Sequence, residues 1–305
     1  VILNEFKNAF QRHNNAHAQL IIINVAIFLF TGLLFVVAKA SKTQEIFQFF
    51  YDQFTLPSRI GEFLQKPWTL LTYSFAHFFN YEYGSVGIFH ILFNMLVFYW
   101  FAKLFIEYLG SDKLISLYVL GGLSGGVLYL LLYNTIPFFA EQPSILVGAS
   151  AAVYAVVVAT ATLLPDYTFF LLFLGPVRIK YIALFYIVIS FLGSVGDNAG
   201  GNIAHLGGAL MGFVYLKQLQ AGVNWGGWIT ATLDWISDLF KAKPKVKVTY
   251  RKEEKTNGSK KSSKSSDASR VSQEEIDAIL DKISDGGYES LTREEKEKLF
   301  NASKK

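Results

Sequence analysis

Ser150 lies in the apolar run Val147-Gly148-Ala149-Ser150-Ala151-Ala152-Val153-Tyr154, where small neighbours leave its hydroxyl accessible and no charge stands nearby. His205 lies in a second apolar run, Ile203-Ala204-His205-Leu206-Gly207-Gly208. An ionisable side chain in hydrocarbon is costly to hold, so it marks a functional site by default. A serine hydroxyl brought to an imidazole is a nucleophile with its general base, the chemistry of acyl transfer. A third apolar run, His90-Ile91-Leu92-Phe93-Asn94, puts two polar side chains on one face of a helix. Both can donate hydrogen bonds to a developing oxyanion, and the backbone N–H of Ser150, near a helix N-terminus, is a further donor. Tyr154, one turn after Ser150, is placed to pack beneath the His205 ring. Gly208 and Gly212 share the histidine's face, and Ala151, Ala152 and Ala155 line the serine's helix, so the two backbones can approach closely.

Such residues need a scaffold of helices in lipid. The chain has 305 residues, of which 52% are hydrophobic and 17% charged, against about 25% charged in a soluble domain. Its mean hydropathy is +0.32, and most of its charge falls near the C-terminus. There are no cysteines, which excludes disulfides, thiolate catalysis and zinc–sulfur sites. Six apolar spans are read, at about 20–38, 86–108, 114–133, 145–164, 181–192 and 203–216, the fifth with a possible upstream extension through 169–174. Lipid offers no partner to backbone polar groups, so the spans are predicted to be helices of an all-α polytopic membrane protein. Residues 1–18 are polar, and no secretory signal peptide is recognised.

Basic residues set the orientation. Lys7, Arg12, Lys103, Lys113, Arg178, Lys180 and the lysine-rich tail fall on one side, while the loops at 134–144 and 193–202 carry no Lys or Arg. Both termini are therefore expected in the cytoplasm, although the long first loop breaks the pattern with Lys39, Lys42, Arg59 and Lys66. In that orientation spans two, four and six run the same way. His90 falls about four residues into span two, Ser150 about five into span four and His205 about two into span six, all within roughly 10 Å of the outer end.

The expected organisation is a cytoplasmic segment 1–19, a membrane domain 20–218, an interfacial amphipathic helix 219–240, a basic linker 241–270 and a helical hairpin 271–305. Trp225, Trp228, Ile229, Leu233, Ile236, Leu239 and Phe240 recur at helical spacing in the third segment. The lysines of the linker favour anionic headgroups. Ser272-Gln273-Glu274-Glu275 and Thr292-Arg293-Glu294-Glu295 read as capping boxes opening the two hairpin helices. The aromatic first loop is read as lying at the outer interface, with His77 in a structural hydrogen-bonding role and Asp197 as an exposed loop carboxylate.

On these motifs the chain resembles the rhomboid intramembrane serine proteases. The match runs over about residues 65–218 and rests on Trp68 in the first loop, His90-x-x-x-Asn94, Gly148-x-Ser150 and Ala204-His205-x-x-Gly208-x-x-x-Gly212. The resemblance implies a six-transmembrane-helix bundle, a Ser150–His205 dyad without a third carboxylate, and an oxyanion hole of His90, Asn94 and the Ser150 amide. It also implies that span five and the loop at 193–202 gate substrate entry. One position departs from the family: Ala151 follows the nucleophile where the family usually has glycine.

The expected activity is hydrolysis of peptide bonds in or beside transmembrane segments of other membrane proteins. No metal, cofactor or nucleic acid is implied; the partners are transmembrane substrates and membrane lipids, with the hairpin's partner left open. The expected location is a bacterial inner membrane. The rival is a rhomboid-like pseudoprotease that binds transmembrane helices without cutting them. A zinc enzyme would want His-Glu-x-x-His and an aspartyl enzyme two aspartates within spans, and neither is present. A small transporter fits poorly, because no inverted repeat or coordinating charge pair is apparent.

Overall fold

In lipid every backbone N–H and C=O must find a partner within the protein, and the chain meets that demand mainly with helices. The computed structural model describes residues 14–77, 84–171, 175–240 and 273–303. They fall into two units, Val1–Lys243 and Pro244–Lys305.

The first unit contains α1 (Ala16–Ser41), α2 (Gln44–Tyr51), α3 (Gly84–Leu109), α4 (Ser111–Thr135), α5 (Ser150–Leu163), α6 (Ile179–Leu192), α7 (Ala199–Gln220) and α8 (Gly227–Phe240). Among the described residues, three helices are long and apolar enough to cross a membrane: α1, the 87–109 part of α3, and α4. Large apolar side chains face outward on several helices, among them Leu29, Leu33 and Val36 of α1 and Leu184, Phe185 and Ile189 of α6. An apolar exterior of this extent belongs in hydrocarbon, and the chain is an integral membrane protein.

The 14-residue α5 is the buried element, with Ala151 through Ala161 all inside. At about 1.5 Å per residue it is roughly 21 Å long, short of a bilayer's hydrocarbon core. Glycines let its neighbours press on it. A Cβ at Gly208 of α7 would strike the Ala151 carbonyl, and one at Gly212 would strike that of Ala155. On α4, a Cβ at Gly125 would stand 2.6 Å from the Ala151 methyl and 2.7 Å from the Ala204 carbonyl oxygen.

Span four is corrected at its start. Residues 145–146 form a strand, β2 (Ile145–Leu146), paired antiparallel with β1 (Leu56–Pro57), and the helix begins at Ser150. Gly148, with φ +139°, prevents the helix from starting earlier. The Gly148 N–H donates to the Tyr73 carbonyl at 3.0 Å, so the first loop holds the segment in place.

The proposed helical extension of span five is also corrected. The described part of 169–174 belongs to a hairpin of β3 (Thr168–Leu171) and β4 (Gly175–Arg178). Gly175, at φ +70°, and Pro176 suit a turn and a strand edge rather than a helix. Asp166 beside the hairpin accepts hydrogen bonds from Lys180 at 2.7 Å and Arg178 at 3.2 Å. The Lys180 hydrogen bond, with the Lys180 and Arg178 charges, holds its carboxyl below the usual carboxylate range.

The helix at the sixth apolar run is longer than that run, since α7 extends from Ala199 to Gln220. Gly222, at φ +83°, closes it, with the Val223 N–H donating to the Gln218 carbonyl at 2.8 Å in the Schellman pattern. The amphipathic helix therefore begins at Gly227 rather than 219. It meets α4 where Ser116 donates to the Gly226 carbonyl at 3.0 Å and Ile229 is buried, leaving Trp228, Trp235 and Leu239 outward.

In the second unit, α9 (Gln273–Gly286) and α10 (Arg293–Ser303) form the hairpin, turning at Gly287 with φ +75°. The Thr292 capping box is made: Thr292 N–H donates to Glu295 Oε2 at 2.7 Å, and Glu295 N–H to Thr292 Oγ1 at 3.4 Å. Ser272, head of the other box, and the basic linker lie outside the described residues.

Candidate active site

The serine is delivered by a helix start. Ser150 is the first residue of α5, with Ala149 at the cap position. Helix geometry gives the Ser150 N–H no intrahelical acceptor, and the hydroxyl sits at the positive end of the helix. Across the α5–α7 contact, His205 Nε2 lies 2.7 Å from Ser150 Oγ. This approach depends on Gly208 one turn further along α7, where any side chain would collide with the Ala151 backbone.

The imidazole is fixed on two further sides. The Tyr154 ring stacks on it with centroids 4.2 Å apart and planes inclined by 14°. Ser190 of α6 places its Oγ 3.1 Å from His205 Nδ1 and donates to the Tyr154 hydroxyl at 2.9 Å. Ser190 is fully buried and was not foreseen. Its one sequence signal is a hydroxyl within an otherwise apolar span.

His90 and Asn94 of α3 line the same cavity as Ser150 and His205, a space of about 830 Å³. Asn94 Nδ2 donates one hydrogen to the His90 carbonyl at 2.8 Å, which leaves its second N–H for another acceptor. Gly148 lies close to His90 and Ser150: a Cβ there would stand 3.1 Å from His90 Cε1 and 3.6 Å from Ser150 Oγ. Gly212 is one turn beyond Gly208 and packs on Ala155, away from the dyad.

Two further residues stand near the site. His77 is fully buried, and among the described residues neither ring nitrogen has a hydrogen-bond partner; the ring packs edge-wise with His90, at 5.5 Å between centroids, and Phe28, at 6.4 Å. Asp197 is exposed, as expected, but also lines the cavity that holds the dyad.

The loop between α6 and α7 is tied down at one point. Asn202 Nδ2 donates to the Gly193 carbonyl at 2.9 Å and to the Asn198 carbonyl at 3.0 Å. The arrangement as a whole offers a serine hydroxyl, an imidazole with a second hydrogen-bonded nitrogen, and several N–H donors around one cavity. That set suits acyl transfer.

A family model described as the rhomboid domain matches residues 64–220. A second, described as a family of unknown function (DUF6576), matches residues 252–305, the region of the hairpin. Among curated proteins, the mitochondrial RHOMBOID-like protein 12 of Arabidopsis thaliana is 31% identical over 165 residues, covering 50% of this chain and 47% of that protein. The chain thus spans about half the length of the curated relative it matches.

Proposed function

This chain belongs to the rhomboid family, and we propose that within it the chain is an active serine endopeptidase that cleaves peptide bonds in or next to transmembrane segments. The observation that carries the reading is the 2.7 Å approach of His205 Nε2 to Ser150 Oγ. Ser150 Oγ attacks the scissile carbonyl carbon while its proton passes to His205 Nε2. The carbonyl oxygen becomes an oxyanion, held by His90, Asn94 and the Ser150 N–H. The tetrahedral intermediate collapses as the C–N bond breaks and His205 returns the proton to the leaving amine. Water, deprotonated by the same imidazole, then hydrolyses the acyl-enzyme. No metal or cofactor enters these steps.

The membrane arrangement goes with this reading. α1, α3, α4, α5, α6 and α7 serve as six spans, with both termini cytoplasmic, in a bacterial inner membrane. α6 and the loop held by Asn202 form the gate through which a substrate segment reaches the cavity. Such a segment must leave its own helix to expose a peptide bond, so substrates carry helix-breaking residues near the cut. α8 lies at the lipid interface with its tryptophans in the headgroup region. The hairpin at 273–303 provides a separate docking module.

A pseudoprotease that only binds helices has no need of a serine, an imidazole and a cavity in this register, and nothing in the geometry favours that reading. The test is cleavage of a transmembrane substrate reconstituted with the protein in liposomes. The parent cuts it and Ser150→Ala does not; cutting by both would refute the mechanism.

A further inference from the structure

A dyad without a carboxylate leaves a physical question: what keeps the imidazole in the tautomer that can accept a proton from serine? Neutral histidine carries one proton, and the nitrogen that bears it is decided by the partner of the other nitrogen. Here that partner is Ser190.

We propose that Ser190 is a positioning residue that fixes the tautomer of His205. The chain of hydrogen bonds has one consistent direction. Ser190 donates its own proton to the Tyr154 hydroxyl at 2.9 Å. With that proton committed, Ser190 Oγ can only accept from His205, 3.1 Å away, so Nδ1 carries the hydrogen. Nε2 is then bare and faces the Ser150 hydroxyl at 2.7 Å. Tyr154 therefore has two parts to play: its ring stacks on the imidazole, and its hydroxyl keeps Ser190 oriented as an acceptor. Ser190 is fully buried and does not line the cavity, so its hydroxyl is committed to these two partners. When Nε2 takes the serine proton, the Nδ1–H bond to Ser190 is retained and strengthens, because the donor has become cationic.

The arrangement also ties the dyad to α6. Ser150 and Tyr154 stand on α5 and His205 on α7, while Ser190 belongs to α6. The acceptor for Nδ1 is thus supplied by a third helix, and it is in place only while α6 lies against the other two.

The kinetic part rests on the protease reading; the tautomer part does not. The experiment uses the full chain in lipid, labelled with ¹⁵N-histidine, with the His205 signals assigned by loss in His205→Gln. The parent is expected to show a single Nδ1–H tautomer. Ser190→Ala shows a mixture, and Tyr154→Phe shifts the balance toward Nε2–H, since Ser190 then turns its proton to Nδ1. In parallel, Ser190→Ala lowers kcat by about ten- to hundredfold, the scale of a histidine's orienting partner, with KM unchanged. Ser190→Thr, which keeps the hydroxyl, restores both readouts and separates lost orientation from lost folding. A single Nδ1–H tautomer in Ser190→Ala, or an unaltered kcat, overturns the proposal. If the parent cuts no substrate, the protease reading fails, while the ring-nitrogen result still decides the role of Ser190.

Discussion

The Ala151 methyl group fits against Gly125 of α4. A Cβ built at Gly125 would stand 2.6 Å from it, while Gly208 of α7 meets the Ala151 carbonyl and Cα instead. The Ala151 methyl therefore occupies room left by a glycine on a third helix. The α5–α7 approach that joins Ser150 to His205 is undisturbed, at 2.7 Å.

This complementarity predicts a coupled pair. Gly125→Ala overfills the contact and destabilises the fold by about 1–3 kcal/mol. Adding Ala151→Gly recovers part of the loss, about 1 kcal/mol, as expected for residues in contact. The recovery is partial because a side chain at Gly125 also approaches the Ala204 carbonyl oxygen, at 2.7 Å. Thermal unfolding of the two single variants and the double variant in detergent measures the coupling; strictly additive losses would contradict it.

Gly148 is predicted to resist any side chain. Its φ of +139° lies where L-residues are strained, and a Cβ there would crowd His90 at 3.1 Å. Gly148→Ala should lower stability by about 1–3 kcal/mol and cut kcat by displacing His90. Unfolding and turnover of the one variant test both; a fully active, equally stable protein would show that the conformation is not required.

His90→Ala and Asn94→Ala each remove a side-chain donor from the cavity. Each should lower kcat by about 10²- to 10³-fold with little change in KM, the signature of a contact made in the transition state. Because the two side chains line one cavity and serve the same oxyanion, the two losses should not add fully. Steady-state kinetics of both singles and the double decide it, and a rise in KM at constant kcat would reassign the pair to substrate binding.

Much of this site was legible in the sequence, for reasons that differ by residue. Ser150 and His205 stand out because hydrocarbon tolerates few polar side chains, and Gly208 and Gly212 because close helix approach demands small residues. The start of α5 was hidden: an apolar run such as Ile145 to Ala149 reads equally as helix or strand, and the partner that makes it a strand, Leu56–Pro57, lies far away in sequence. The same ambiguity concealed the β3–β4 hairpin. Ser190 and Gly125 escaped notice because their contacts, to His205 and Ala151, exist only once three helices are packed.

The capping box of the C-terminal hairpin carries a pH signature. The Thr292 backbone N–H, then the Lys282 and Thr292 side chains, hold the Glu295 carboxyl down at about 2, against an ordinary value of 4.5. A depressed carboxylate adds stability that is full above its unfolded value and is lost as pH falls through its folded one. The cap should therefore weaken between about pH 4.5 and pH 2. Carboxyl ¹³C NMR of the labelled chain, with Glu295→Gln for assignment, should show a midpoint near the lower limit; a midpoint near the ordinary value would mean the box does not form.

The central claim is that Ser150 is a nucleophile activated by His205. The most direct measurement is covalent labelling by a fluorophosphonate, which reports an activated serine without needing a natural substrate. The parent in lipid should be labelled at Ser150, while Ser150→Ala is not labelled and His205→Ala loses the reaction by about three orders of magnitude or more. A folded parent that takes up no label, or a His205→Ala variant labelled as fast as the parent, would contradict the account.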